Sequence, residues 1–194
     1  MCLGAAGAID PALGLSFGML PGMIVGMHWK KEAKCRWQIM KNPEQLVQQL
    51  TAPKASDGCD AMKQLLAISE ESNRVYPFLA RFLDLLNHDH SYVRTRALLL
   101  IAANAKWDSE CQIDENLDKI LAHVTDPKPI TARQFIQSLP ALAAAKPDLR
   151  KEILDALRRA DSLRYSSSMR PLIDADIRRA TLAICLEENA KQQR

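Results

Sequence analysis

The chain has 194 residues, 47% of them hydrophobic and 25% charged, and a formal net charge of +3. This is ordinary globular usage, enough for one domain with an appendage. Residues 42–194 hold 21 basic and 21 acidic side chains, a neutral balance that argues against a body built to grip nucleic acid through a basic face.

The first 41 residues follow a different rule. Six of the seven glycines (Gly4, Gly7, Gly14, Gly18, Gly22 and Gly26) lie within the first 26 positions. Residues 11–29, PALGLSFGMLPGMIVGMHW, carry no formally charged side chain. As a helix of roughly 19 residues they span about 28 Å, close to a bilayer core of about 30 Å. Asp10 and Pro11 suit an N-cap and first helical position. Trp29 before Lys30 and Lys31 suits an interfacial edge that leaves the following domain in the cytoplasm. Gly14, Gly18, Gly22 and Gly26 share one helical face, where another helix can approach closely. This G-x-x-x-G run resembles the glycine-zipper membrane hairpins of small bacterial proteins, and MCLGAAGA at residues 1–8 resembles the tail of a preceding zipper helix. The expectation is a membrane helix; a loosely packed tail and an amphipathic helix lying on the domain are the alternatives. A secretory signal peptide fits less well, because no positive segment precedes the apolar run. Residues 30–41, with Lys30, Lys31, Lys34, Arg36 and Lys41 against Glu32, form a basic hinge.

From residue 42 onward the apolar period is helical. Residues 43–51 give a short helix with Leu46, Val47 and Leu50 inward, 52–58 read as a turn, and 59–68 return with Met62, Leu65 and Leu66 inward. Residues 69–73 read as a polar break. The clearest unit is 75–106, where Phe78, Leu79, Phe82, Leu83 and Leu86 form one stripe. Val93, Ala97, Leu98, Ile101, Ala102 and Ala105 form another, beyond the polar turn at 87–91. Pro77 marks a first turn or a kink. After a loop at 108–114, Asp114 is expected to cap a helix running to about residue 125. Residues 126–129 turn the chain and 130–145 come back, bent at Pro140 and stopped by Lys146-Pro147. Asp148 is expected to cap 149–160. A serine-rich turn at 165–168 leads to a last helix over 171–188 that buries Leu172, Ile173, Ile177, Leu182 and Ile184.

The turn aspartates Asp89, Asp126 and Asp161 stand 37 and 35 residues apart, the period of stacked helical hairpins. Asp89 precedes Val93 and Arg94 in a D-x-x-x-V-R pattern, and Arg133 sits early in the corresponding helix of the next unit. An aspartate there accepts free helix amides, while an arginine reaches the aspartate of a neighbouring unit. This resembles the HEAT repeat family, over residues 42–188 and most clearly over 75–106. The resemblance implies an all-α fold, a short right-handed α-solenoid of HEAT-like hairpins, with Asp89, Arg94 and Asp126 as inter-repeat structural residues. More closely, SEESNRVYPFLARFLDLLNHDHSYVRTRALLLIAANAKWD, DPKPITARQFIQSLPALAAAKPDLR and SMRPLIDADI are similar to an uncharacterised family of single-domain HEAT-like proteins from Firmicutes. Some of its members carry a SufBD label, an iron–sulfur assembly name.

No phosphate loop, G-x-S-x-G elbow or H-E-x-x-H helix is present, so no catalytic residue is nominated and the chain is read as a non-enzyme. No cofactor is expected. Cys2, Cys35, Cys59, Cys111 and Cys185 are dispersed, which fits reduced cytosolic thiols and no iron–sulfur ligand set; Cys35, beside the basic hinge, is the thiol to test for acylation. His88-Asp89-His90 offers metal-ligand types, but neighbouring side chains diverge and a solvated turn explains them equally well. Trp107 reads as an apolar plug, its rival role being the base-stacking platform of HEAT-fold DNA glycosylases. Arg158, Arg159, Arg170, Arg178 and Arg179 lie among Asp155, Asp174 and Asp176, as on a salt-bridged solvent face, with a binding patch as the alternative. Asp108, Glu110, Asp114, Glu115 and Asp118 form an acidic cluster. The expected function is a protein–protein interaction scaffold that meets an unidentified protein partner through the concave face of the repeats, with Arg96, Trp107 and Arg133 as candidate partner-binding residues. Nucleic-acid or DNA-repair activity and an accessory role in iron–sulfur assembly are the alternatives.

Overall fold

Asn42 opens the first helix, its side chain accepting the Glu44 N–H at 3.1 Å with Pro43 behind it, the arrangement that satisfies an otherwise free first-turn amide. The computed structural model describes residues 42–192; the membrane-helix and basic-hinge expectations lie outside them. Among the described residues every regular element is helical, and no helix is long and apolar enough to cross a membrane.

The order is α1 (Pro43–Gln49), α2 (Ala55–Glu71), α3 (Leu79–Leu85), α4 (Ser91–Asn104), α5 (Gln112–Glu115), α6 (Leu117–Leu121), α7 (Pro129–Ala145), α8 (Arg150–Arg159) and α9 (Arg170–Gln192). Short 3₁₀ turns join them, including Asn73–Phe78 with Pro77 inside and Ala122–Thr125. In each successive pair the second helix packs on the first: α2 on α1, α4 on α3, α7 on the Ala122–Thr125 turn, α9 on α8. The second helices also pack on one another in chain order, α2 against α4, α4 against α7 and α7 against α9.

The expected stripes are the core. Leu65, Ile68, Phe82, Leu98, Ile101, Phe135, Leu139, Ile153 and Ile184 are fully buried. Helix α4 buries more than its expected stripe, adding Leu100, Arg96 and Asn104, because α2, α3 and α7 all pack against it.

Several boundaries differ from expectation, each for a physical reason. Residues 55–58 are helix, not turn, and the polar residues Ser69 to Glu71 continue it. Gly58 suits that helix through what faces it: a Cβ there would lie 2.6 Å from Cζ of Arg96, whose buried guanidinium reaches the carbonyls of Leu50 and Ala55. Ser69 is fully buried, its hydroxyl donating to the Leu65 carbonyl at 2.9 Å. Asp114 does not cap a helix to residue 125. Asp108 does the capping, accepting the Gln112 and Ile113 N–H groups at 3.0 Å each, after which the chain breaks at Asn116 into two short helices. Cys111 holds a left-handed φ of 56° to make that entry, a conformation unusual for a residue with a Cβ. Asp148 does not cap α8, which starts from Leu149 with no side-chain bond. On α9, Ile173 and Ile184 are buried, whereas Leu172 and Leu182 are exposed, because α7 and α8 cover only one side of it.

Replacing Gly58 with Ala should displace the Arg96 guanidinium and free two carbonyls. The lost bonds, about 2–3 kcal/mol, outweigh the roughly 0.5–1 kcal/mol gained in helix propensity. A lowered denaturant midpoint at unchanged m-value is the expected result; an unchanged or raised midpoint would contradict this role for Gly58.

Candidate interaction surface

Arg94 and Asp126 form the central junction. Arg94 Nε donates to Asp126 Oδ2 at 2.9 Å and Nη2 to Oδ1 at 2.8 Å, the bidentate geometry in which Arg–carboxylate pairs are strongest. Nη1 holds the carbonyls of His88 and Asp89, at 2.8 and 3.0 Å. The Asp126 side chain has no exposure; it also meets His123 Nδ1 at 2.9 Å and the Lys128 N–H at 2.8 Å. Burial alone would raise its pKa. The bonds from His123, Arg94 and Lys128, with the charge of Arg94, prevail and hold the carboxyl well below its ordinary range. Of the two expected tasks Asp126 performs one, receiving an arginine from the preceding unit; its carboxylate closes the turn by accepting the Lys128 amide, and α7 itself starts with no side-chain cap. Asp89 is exposed, and its carbonyl, not its carboxylate, is what Arg94 binds.

The other nominated residues fall into different settings. Arg96 is 4% exposed, with its guanidinium spent on Leu50 and Ala55. Arg133 meets Asp176 on α9 rather than Asp161, and Gln137 and Arg179 donate to the same buried carboxylate at 3.0 Å each. Trp107 is partly buried and donates Nε1–H to the Ser69 carbonyl at 2.8 Å, while Lys106 lies 5.2 Å from the centre of its ring. Of the last-repeat arginines, Arg158 pairs with Asp155, and Arg170 donates to the carbonyls of Tyr165 and Leu163. In the acidic cluster, Lys146 bridges Asp108 and Asp114 at 3.0 and 2.8 Å, and the Tyr76 hydroxyl donates to Asp108 at 3.0 Å. Burial would raise the Asp108 pKa, but these bonds, with those from Lys146 and the Ile113 amide foremost, keep it low. Among the described residues no group of three or more His, Cys, Asp or Glu is gathered to hold a metal ion.

With those charges engaged, a groove of about 440 Å³ lies open across α2, α4 and α7. Cys59 and Met62 come from α2, Tyr92 and Thr95 from α4, Ile130 and Gln134 from α7. Neither a carboxylate nor an imidazole lines it, so no general base faces its thiol or hydroxyls. Tyr92 and Ile130 remain 53% and 56% exposed at its edge. The His90 ring stacks on Tyr92 at 5.6 Å, and the Arg96 guanidinium lies 5.7 Å from the centre of the Tyr92 ring. Across the groove the hydroxyls of Thr95 and Thr131 meet at 2.9 Å. Tyr92 and Ile130 escaped the sequence reading because they sit off the buried stripes, yet each is the second residue of its helix, which is the signal that marks them.

Comparison of the chain with protein-family models, with curated proteins and with solved structures finds no match. The class that the geometry itself defines is an all-α array of packed helix pairs with a groove across its second helices, in which Arg96 is the charged lining residue.

Asp126 has a depressed folded-state pKa, so its ionisation stabilises the fold fully above the unfolded carboxyl value of about 3.9. Below that pH the unfolded state takes a proton that the folded state refuses, and stability falls by about 1.4 kcal/mol per pH unit for this group. Urea titrations between pH 6 and pH 2 should therefore show a shallower acid loss in Asp126→Asn than in the parent. At pH 7 the same substitution should cost about 3 kcal/mol by leaving Arg94 without its counter-charge. Parallel pH profiles would contradict the assignment.

Proposed function

We propose that residues 42–194 form a short right-handed HEAT-like α-solenoid that works as a protein-interaction module. Its second helices provide the concave face on which a partner protein docks. The stacking of α2, α4, α7 and α9 in chain order supports the solenoid reading, as does the bond between Arg94 of one unit and Asp126 of the next. The observation that carries the interaction role is the groove flanked by exposed Tyr92 and Ile130. An aromatic anchor, an aliphatic edge and neutral polar groups are the composition of a binding hot spot. Recognition in this reading is by shape and apolar contact, with Thr95 and Gln134 fixing orientation. A tether through residues 11–29 belongs to the same proposal, and would keep the full chain in the membrane fraction after an alkaline wash that strips peripheral proteins.

The decisive experiment compares the parent chain with Tyr92→Ala/Ile130→Asp in affinity purification from native cytosol and membranes. Both side chains are more than half exposed, so stability should change by less than about 1 kcal/mol. A partner recovered by the parent should fall about tenfold or more with the variant. No partner above background with the parent, or equal recovery with the variant, would contradict the proposal.

A further inference from the structure

A second hollow, of about 330 Å³, opens beside the start of α8, lined by Pro147, Asp148, Arg150, Lys151, Leu154 and Arg158. Three of these are cations and one is a carboxylate, so positive charge prevails. Arg150 is the informative member: Nε and Nη2 of its guanidinium are buried without a hydrogen-bond partner. A charged donor edge left in that state bears the full loss of its hydration, and a partner that draws it into a hydrogen bond relieves the loss. Lys151 is exposed and has no ion-pair partner among the described residues. Arg158 shares its Nη1 with Asp155 at 2.9 Å and keeps a side-chain exposure of 69%, which leaves its other donors available. The adjoining helix has ten residues and no side-chain cap, so its positive end adds to the field, with Glu152 the acidic residue in its first turn.

We propose that this hollow binds a small phosphomonoester. Its phosphate lies between the guanidinium groups of Arg150 and Arg158 and the Lys151 ammonium, and its organic group lies against Leu154 and Pro147. Guanidinium forks match the oxygen geometry of phosphate. The volume and the apolar wall exceed what a bare oxyanion needs, which selects an ester over the free ion. The Asp148 carboxylate on the wall is outnumbered for a single phosphate but repels a long polyanion. This site is independent of the groove across α2, α4 and α7, and its test does not touch that surface.

The test is calorimetric titration of the full chain at low ionic strength with phenyl phosphate, inorganic phosphate and a chloride-matched control. Phenyl phosphate should bind saturably, about tenfold more weakly in Arg150→Gln. The exposed Lys151→Glu variant, whose far-ultraviolet circular dichroism should match the parent, should also lose affinity, by threefold or more. Inorganic phosphate should bind more weakly than phenyl phosphate, and equal binding of the two would overturn the selection of an ester. No saturable heat with either probe up to about 10 mM, or an affinity unchanged in Lys151→Glu, would overturn the proposal.

Discussion

The structure turns on one buried carboxylate. Asp126 is 1% exposed and receives Arg94 from the preceding helix pair, His123 and the Lys128 amide from its own turn. Its carbonyl accepts the Tyr165 hydroxyl from the following pair at 2.6 Å. Three successive units therefore meet at a single residue. A carboxylate removed from water is costly unless its oxygens are all engaged, so this one is tolerable only when the neighbouring units stand in register. Apolar stripes alone allow sliding; the ion pair specifies one position.

The same logic recurs along both ends of the second helices. At one end Arg96 holds the carbonyls of Leu50 and Ala55, Arg94 holds Asp126, and Arg133 holds Asp176. At the other, Lys106 donates to the Glu70 carbonyl, Trp107 to Ser69, and Lys146 to the Asp108 carbonyl. All but the Lys146 bond, which closes the third unit on its own opening residue, link a unit to its neighbour. The cations that make these links are thereby engaged internally. What they leave open is the groove edged by Tyr92 and Ile130, which no carboxylate lines.

Helix existence and inward stripes were readable because a 3.6-residue period and polar turns agree over long runs, as in α4 and α7. The Arg94–Asp126 bond was readable because both residues occupy a motif with a mechanism. The rest needed three dimensions. Gly58 looks like a turn residue until the Arg96 guanidinium, 38 positions away, is seen filling the space beside it. Asp108 and Asp114 are both plausible caps by spacing, and Lys146, brought over from the end of α7, binds both while only Asp108 faces the amides. Arg133 meets Asp176 instead of Asp161 because the last turn departs from the pattern of the others. Leu172 and Leu182 belong to a helix whose outer side no later helix covers among the described residues, a fact of position in the array that periodicity does not encode.

Native-state hydrogen exchange on the parent and an Asp126→Ala variant tests the central claim most directly. If Asp126 joins three units, the substitution lowers amide protection together in α4, in α7 and around Tyr165, while α1 and the first turns of α2 keep theirs. Loss of protection confined to the turn at residues 122–128, with α4 and α7 unchanged, would show that the carboxylate only braces that turn and that the register of the array is set by something else.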